Sequence, residues 1–231
     1  MNENWGALSK QLYSIYFDLD LMDHVDNDMI YLWNAYQFTE SLWFQQFVKL
    51  ESMKCVILSE APLYGSKKTY IYNIESKPTS FFHFNDLKAI IDDNEVLPKK
   101  FKSPVAKKAY MIDIITKYGV LILDIFPFAF NSHDTKINYG SIGDPVYNRL
   151  LKESIPYFLG PKLEKIRQIK GNPVFVYRYA RLLKTSSYIE NELKKCGLLR
   201  VNDKLNTING TNMSLDRSYL KEIYHHRNTG V

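Results

Sequence analysis

Cysteine is scarce: Cys55 and Cys196 are the two present in 231 residues. That is too few for a disulfide framework or a cysteine-built zinc site. With ten Gly and nine Pro, the chain is neither collagen-like nor of low complexity. Long apolar runs are absent as well. None approaches the ~18–20 residues that span a bilayer, and the longest candidate, Gly119 to Phe130, contains Asp124. The opening stretch MNENWGALSK has neither a basic region nor an apolar one behind it, so no secretory signal is expected. The histidines, His24, His83, His133, His225 and His226, show no HExxH spacing, and no metal is expected. No GxGxxG, GxxxxGKS/T or GxSxG string occurs, which disfavours a Rossmann dehydrogenase, a P-loop enzyme and an α/β-hydrolase. No cofactor is expected. These absences together predict a soluble protein of a reducing, cytoplasmic compartment, without a membrane partner and with its oligomeric state open.

Hydrophobic residues make up 45% of the chain and charged residues 24%, which is enough apolar material for a packed core. The formal net charge is +5, with 30 Lys+Arg against 25 Asp+Glu. Such a balance permits binding to a polyanion without requiring it. Lys99, Lys100, Lys102, Lys107 and Lys108 form one basic run. It is either a solvated loop or a track for phosphates. Aromatic residues reach 14%; most belong to a core, and a few can serve as stacking platforms.

Apolar spacing predicts two leading helices. Trp5 to Leu19 carries Trp5, Leu8, Leu12, Ile15 and Tyr16 at intervals of three and four. Met29 to Leu50 follows, with Asn27-Asp28 as its cap. Lys54–Ser59, Val120–Leu123, Pro173–Tyr177 and Leu205–Ile208 are short apolar runs that predict buried parallel strands. Helical stretches alternate with them: Phe84–Ile91, Val105–Lys117, Asp144–Tyr157 resuming at Lys162–Ile169 after Gly160-Pro161, Tyr179–Leu183, Tyr188–Cys196, and a last helix to His226 capped by Ser214 or Asp216. Leu63 to about Ser80 reads as an irregular loop. The alternation predicts one α/β domain over residues 1–231, with N-terminal helices in 1–50 and a three-layer α/β core in 51–231 around a mostly parallel four-stranded sheet.

Ligands of open parallel sheets bind beyond the carboxyl ends of the strands. That rule selects Ser59, Glu60, Ala61 and Pro62 after the first strand, and Asp124 with Phe126–Phe128 after the second. Arg178 and Tyr179 follow the third, and Asn209, Gly210, Thr211 and Asn212 the fourth.

This series resembles the uracil-DNA glycosylase superfamily. CVILSEAPL, with Ser59-Glu60-Ala61-Pro62-Leu63, is similar to that family's first motif, in which a buried strand delivers a Pro-containing turn and one branch reads Gly-Glu-Ala-Pro-Gly. Strand order and spacing agree from about Lys54 to the C-terminal helix. The resemblance implies that Phe81 or Phe82 stacks on an extruded base and that Asp124 stands where the family, usually with Asn, reads the base edge. It implies Glu60 and Asp124 as the catalytic pair, and Ala61, Pro62, Phe81, Phe82 and Asn209 as base-binding residues. Lys99, Lys100, Lys102, Arg178, Thr211 and Asn212 are the expected phosphate and backbone contacts, and the partner is DNA or a nucleotide. The family's final loop carries a His-Pro-Ser type motif, whereas this chain reads Asn209-Gly210-Thr211-Asn212-Met213-Ser214. With no histidine there and Asp for Asn, the expectation is binding or excision of a base by N-glycosidic hydrolysis other than classical uracil excision. The alternative is a non-catalytic module on the same fold that binds nucleic acid, a nucleotide or a protein.

Such cleavage places positive charge on the sugar and negative charge on the base. A carboxylate at Glu60 suits the first, and donors around Gly210 suit the second. Asp124, as an acceptor, suits a base with an exocyclic amino group better than uracil.

Overall fold

A computed structural model of the protein describes residues 3–77, 83–92, 94–169, 171–210 and 214–226. Its centre is a sheet of β1 (Cys55–Ser59), β2 (Val120–Asp124), β3 (Val174–Tyr177) and β4 (Asn206–Thr207) in the order β2-β1-β3-β4. Every pairing is parallel. The four apolar runs thus form the expected strands, and the sheet is entirely rather than mostly parallel. Val56, Leu58, Leu121, Leu123 and Val176 are fully buried because both faces are covered by helices.

The strands start from a tight seam. Gly119 (φ +67°) accepts from the amides of Lys54 and Cys55 at 2.9 and 3.1 Å. A Cβ there would stand 2.9 Å from the Ser52 carbonyl oxygen, so only glycine lets the chain turn into β2 this close to β1.

Helices α1 (Glu3–Asp18), α2 (Met22–Phe47), α3 (Pro104–Lys117), α4 (Asp144–Ser154), α5 (Leu159–Arg167), α6 (Ser186–Lys195) and α7 (Arg217–Lys221) surround the sheet. Ser103 caps α3 through a side-chain bond from the Ala106 amide, with Pro104 in the first turn. Several boundaries differ from the sequence expectation, and two of the differences have a clear physical cause. Helix α2 begins at Met22, and Asp28 lies inside it rather than capping it. The Asp28 carboxylate instead accepts from the Tyr16 hydroxyl of α1 and, at 2.6 Å, from the Lys136 amide. A tertiary use therefore overrides the local capping signal. The second concerns Gly160-Pro161. These residues sit in the first turn of α5, where a proline removes no needed donor, and the break comes earlier, at Ile155–Tyr157.

The first two helices are not an appendage. Trp5 packs 5.1 Å from Trp33, 5.0 Å from Tyr36 and 6.2 Å from Phe128, ring centre to ring centre. Phe128 belongs to the segment leaving β2, so α1 and α2 brace the loop beyond the sheet. No helix among the described residues is long and apolar enough to cross a membrane.

Candidate functional site

Pairing of β1 with β2 continues past both strand ends. The Ile125 amide donates to the Ser59 carbonyl and the Phe126 amide to the Glu60 carbonyl, each at 2.9 Å. This register sets Ser59 beside Asp124 and carries Glu60 out onto the same edge. The chains then diverge, one into the long loop from Ala61 and the other into the aromatic segment Phe126 to Phe130. A cavity of 360 Å³ opens between them. Glu60, Ala61, Pro62 and Asp124 all line it, together with Tyr70, Tyr139 and Arg181. The strand order reverses between β1 and β3, and Tyr179 and Arg181 from the chain after β3 also line the crevice.

Its two carboxylates differ in setting. Asp124 is 5% exposed, takes a bond from the Tyr70 hydroxyl at 3.2 Å and is also bonded by Ser59. Burial raises its pKa to about 6, against the pull of the Lys162 ammonium and these two hydrogen bonds. A carboxylate has roughly four acceptor positions, so Asp124 keeps acceptor capacity for a ligand. Lys162 is itself buried, paired with Glu40 of α2, and lies over the rings of Phe158 and Trp43 at 3.7 and 4.5 Å.

Glu60 is 6% exposed and firmly held. Tyr147 of α4 donates to its Oε1 at 2.9 Å, and Arg181 pairs with its Oε2. Burial raises the Glu60 pKa; Arg181 and Tyr147 oppose the rise. The Arg181 side chain is 57% exposed, so it forms part of the cavity mouth.

Aromatic rings make up much of the wall. Tyr139 stands 4.8 Å from Phe126 and 5.1 Å from Phe130, and its hydroxyl donates to the Phe128 carbonyl at 2.8 Å. Tyr70, Phe130, Tyr139 and Tyr179 all face the cavity. Phe81 and Phe82, expected as the stacking platform, lie outside the described residues. Thr211 and Asn212 do as well.

The other expected residues sit apart from this cavity. Arg178 is fully buried, and its Nη1 donates to Asn209 Oδ1 at 3.2 Å. Its own amide donates to the Leu58 carbonyl at 2.8 Å, extending the ladder beyond β3. The Gly210 amide, expected as an anion donor, donates to the Ser214 carbonyl at 3.1 Å. Asp86 anchors that loop from below, accepting from the Leu215 amide and from Arg217 Nε, each at 3.0 Å. Lys99, Lys100 and Lys102 are exposed on the stretch before α3 and do not line the cavity. Lys108, from the same basic run, is buried instead.

Sequence reasoning did not single out Tyr70, Tyr139, Tyr147 or Arg181. The signal for Arg181 was present, a second arginine in the turn after β3, but Arg178 stood nearer the strand end. Nothing in the spacing marked the three tyrosines among 17 in the chain.

Among the described residues, no three His, Cys, Asp or Glu side chains are grouped to hold a metal ion. Compared with known proteins, the chain matches no family model, no curated protein and no solved structure.

Proposed function

We propose that the cavity beyond β1 and β2 takes a nucleobase, with Asp124 accepting hydrogen bonds from its edge and Glu60 acting at the glycosidic bond. The observation that carries this reading is the convergence of Glu60 and Asp124, with Ala61 and Pro62, on one partly aromatic cavity. It agrees with what the resemblance to uracil-DNA glycosylases implies for the same residues.

In the hydrolysis, water supplies a hydroxyl to the sugar carbon and a proton to the departing nitrogen. Glu60 as a carboxylate steadies the cationic sugar and orients that water. Its bonds from Tyr147 and Arg181 hold it in one orientation, which favours catalysis by lowering the reorganisation needed. Ionised Asp124 offers acceptors only, and this favours a base with an exocyclic amino group.

One observation favours a second reading, a binding module without catalysis. Both Glu60 oxygens are already engaged within the chain, and Asn209 and the Gly210 amide are turned to internal partners.

Release of free base from oligonucleotides bearing uracil, damaged bases and modified cytosines separates the two. Excision by the wild type that falls about 10²–10³-fold in Glu60→Gln, with melting unchanged, is the expected result. Binding without release on the whole panel leaves the module. Neither binding nor release ends the nucleobase reading.

A further inference from the structure

We propose that the lysine-bearing groove beside the cavity, lined by Lys67, Lys68 and Lys77, holds the phosphates of a single nucleic-acid strand whose base enters the cavity. The proposal deepens the nucleobase reading and rests on it for the occupant of the cavity. Thr69 lines both spaces, so the groove lies next to the cavity. Its volume is 760 Å³.

Both walls are built rather than loose. Tyr64 to Thr69 is a turn closed by bonds from the Lys68 amide to the Gly65 carbonyl at 3.0 Å and from the Thr69 amide to the Tyr64 carbonyl at 2.8 Å. Helix α2 holds it: the Gly65 amide donates to the Tyr31 hydroxyl at 3.0 Å, and the Tyr64 ring meets Tyr31 and Phe38 edge-on at 5.6 and 5.5 Å. Lys68 is kept at φ +44°, a backbone region that glycine enters freely and lysine does not. The opposite wall, Tyr70 to Lys77, is fastened by the buried ammonium of Lys108. Its Nζ donates to Ser76 Oγ at 3.2 Å and to the Lys77 carbonyl at 3.3 Å. Asn73 ties the walls together by donating to the Lys68 carbonyl at 2.8 Å.

Lys67, Lys68 and Lys77 are exposed, and among the described residues none of them joins a salt bridge. Lys68 Nζ lies 5.2 Å over the Phe38 ring, a contact that leaves its charge available. Glu75 is the carboxylate in the groove, and Asp134 approaches the turn near Gly65. Lysines are point charges with rotatable donors, suited to phosphate oxygens spaced along a backbone. A base buried beyond β1 and β2 must leave its stack, which requires a single strand or a flipped nucleotide at that place. The adjoining phosphates then run past Thr69. Lys99, Lys100 and Lys102 line neither space.

The test uses fluorescence anisotropy with a labelled oligodeoxycytidylate across a salt series, and deoxycytidine monophosphate as a separate probe of the cavity. Replacing Lys67, Lys68 and Lys77 by Gln should weaken oligonucleotide binding at least tenfold at low salt. It should also flatten the slope of log affinity against log salt by about 2, the contribution of three phosphate contacts on a single strand. Replacing all three by Arg should restore both, and replacing Lys99, Lys100 and Lys102 by Gln should change neither. Unaltered affinity and slope in the groove variant overturn the proposal, even where the mononucleotide still binds and the cavity reading stands. No oligonucleotide binding by the wild type at low salt overturns it too. Groove-dependent oligonucleotide binding with no mononucleotide binding would keep the phosphate track and remove the nucleobase from the cavity.

Discussion

The two halves of the sheet both end in polar residues and do different things with them. Beyond β1 and β2, Glu60 and Asp124 stand at an opening. Beyond β3 and β4, Arg178 and Asn209 bond to each other, and the chain reaches the cavity one and three residues later, at Tyr179 and Arg181. The difference lies in the connections. Chain leaving β1 and β2 enters long irregular segments, and Tyr70 and Tyr72 of the first return to bond Asp124 and Ile122 of β2. Chain leaving β3 turns at once into the 3-10 segment Ala180–Thr185, and β4 is followed by the Asn209–Leu215 bridge. A polar residue after an apolar run thus marks a strand end, but whether that end is a site or a plug depends on what the next segment covers.

The largest effect that would break this comparison is on stability. Arg178→Ala removes a fully buried guanidinium and its bond to the Asn209 oxygen. Emptying so large a buried site and losing that bond costs about 2–5 kcal/mol, to be read from denaturant melts. Arg181→Ala, three residues on and 57% exposed at the side chain, opens no buried cavity and should cost less, about 1–2 kcal/mol for the Glu60 oxygen it leaves. Equal losses in the two variants would mean that the buried plug at Arg178 and the cavity mouth at Arg181 are not distinct.

An intermediate effect sharpens the open half. Burial raises the Asp124 pKa from 3.8 to about 6. Native protein therefore holds a proton that the unfolded chain releases between those values. The resulting stability is fully present below about pH 4 and is lost as pH rises through about 6. Relative to Asp124→Asn, which cannot titrate, the wild type should lose roughly 3 kcal/mol between pH 4 and 7, since each pH unit of the gap is worth about 1.4 kcal/mol. Parallel stability profiles for the two proteins would show that Asp124 titrates as an exposed carboxylate.

Much of the framework was legible because buried parallel strands write continuous apolar runs. All four strands, and Glu60 and Asp124 at their ends, follow from that pattern and from the strand-end rule. The first turn of α2 was not legible, because Asp28 carries a strong cap signal that a tertiary bond claims instead. Tyr147 reaches Glu60 across 87 positions of sequence, and no local pattern records such a contact. Lys67 and Lys68 were hidden for a similar reason. The denser run at Lys99 to Lys108 drew attention, while the groove exists only once Lys108 folds inward to fasten its wall.

The most direct test of the account is the base preference of the open half. Affinities for deoxycytidine and deoxyuridine monophosphates can be measured by calorimetry above pH 7, where Asp124 is ionised. The wild type should bind the cytosine nucleotide about tenfold or more tightly, a matched edge contact being worth about 1–3 kcal/mol. Asp124→Asn, which can both donate and accept, should erase or reverse that preference while folding normally. An identical preference in the wild type and the variant, or no binding of either nucleotide, would contradict the assignment of Asp124 as the base reader.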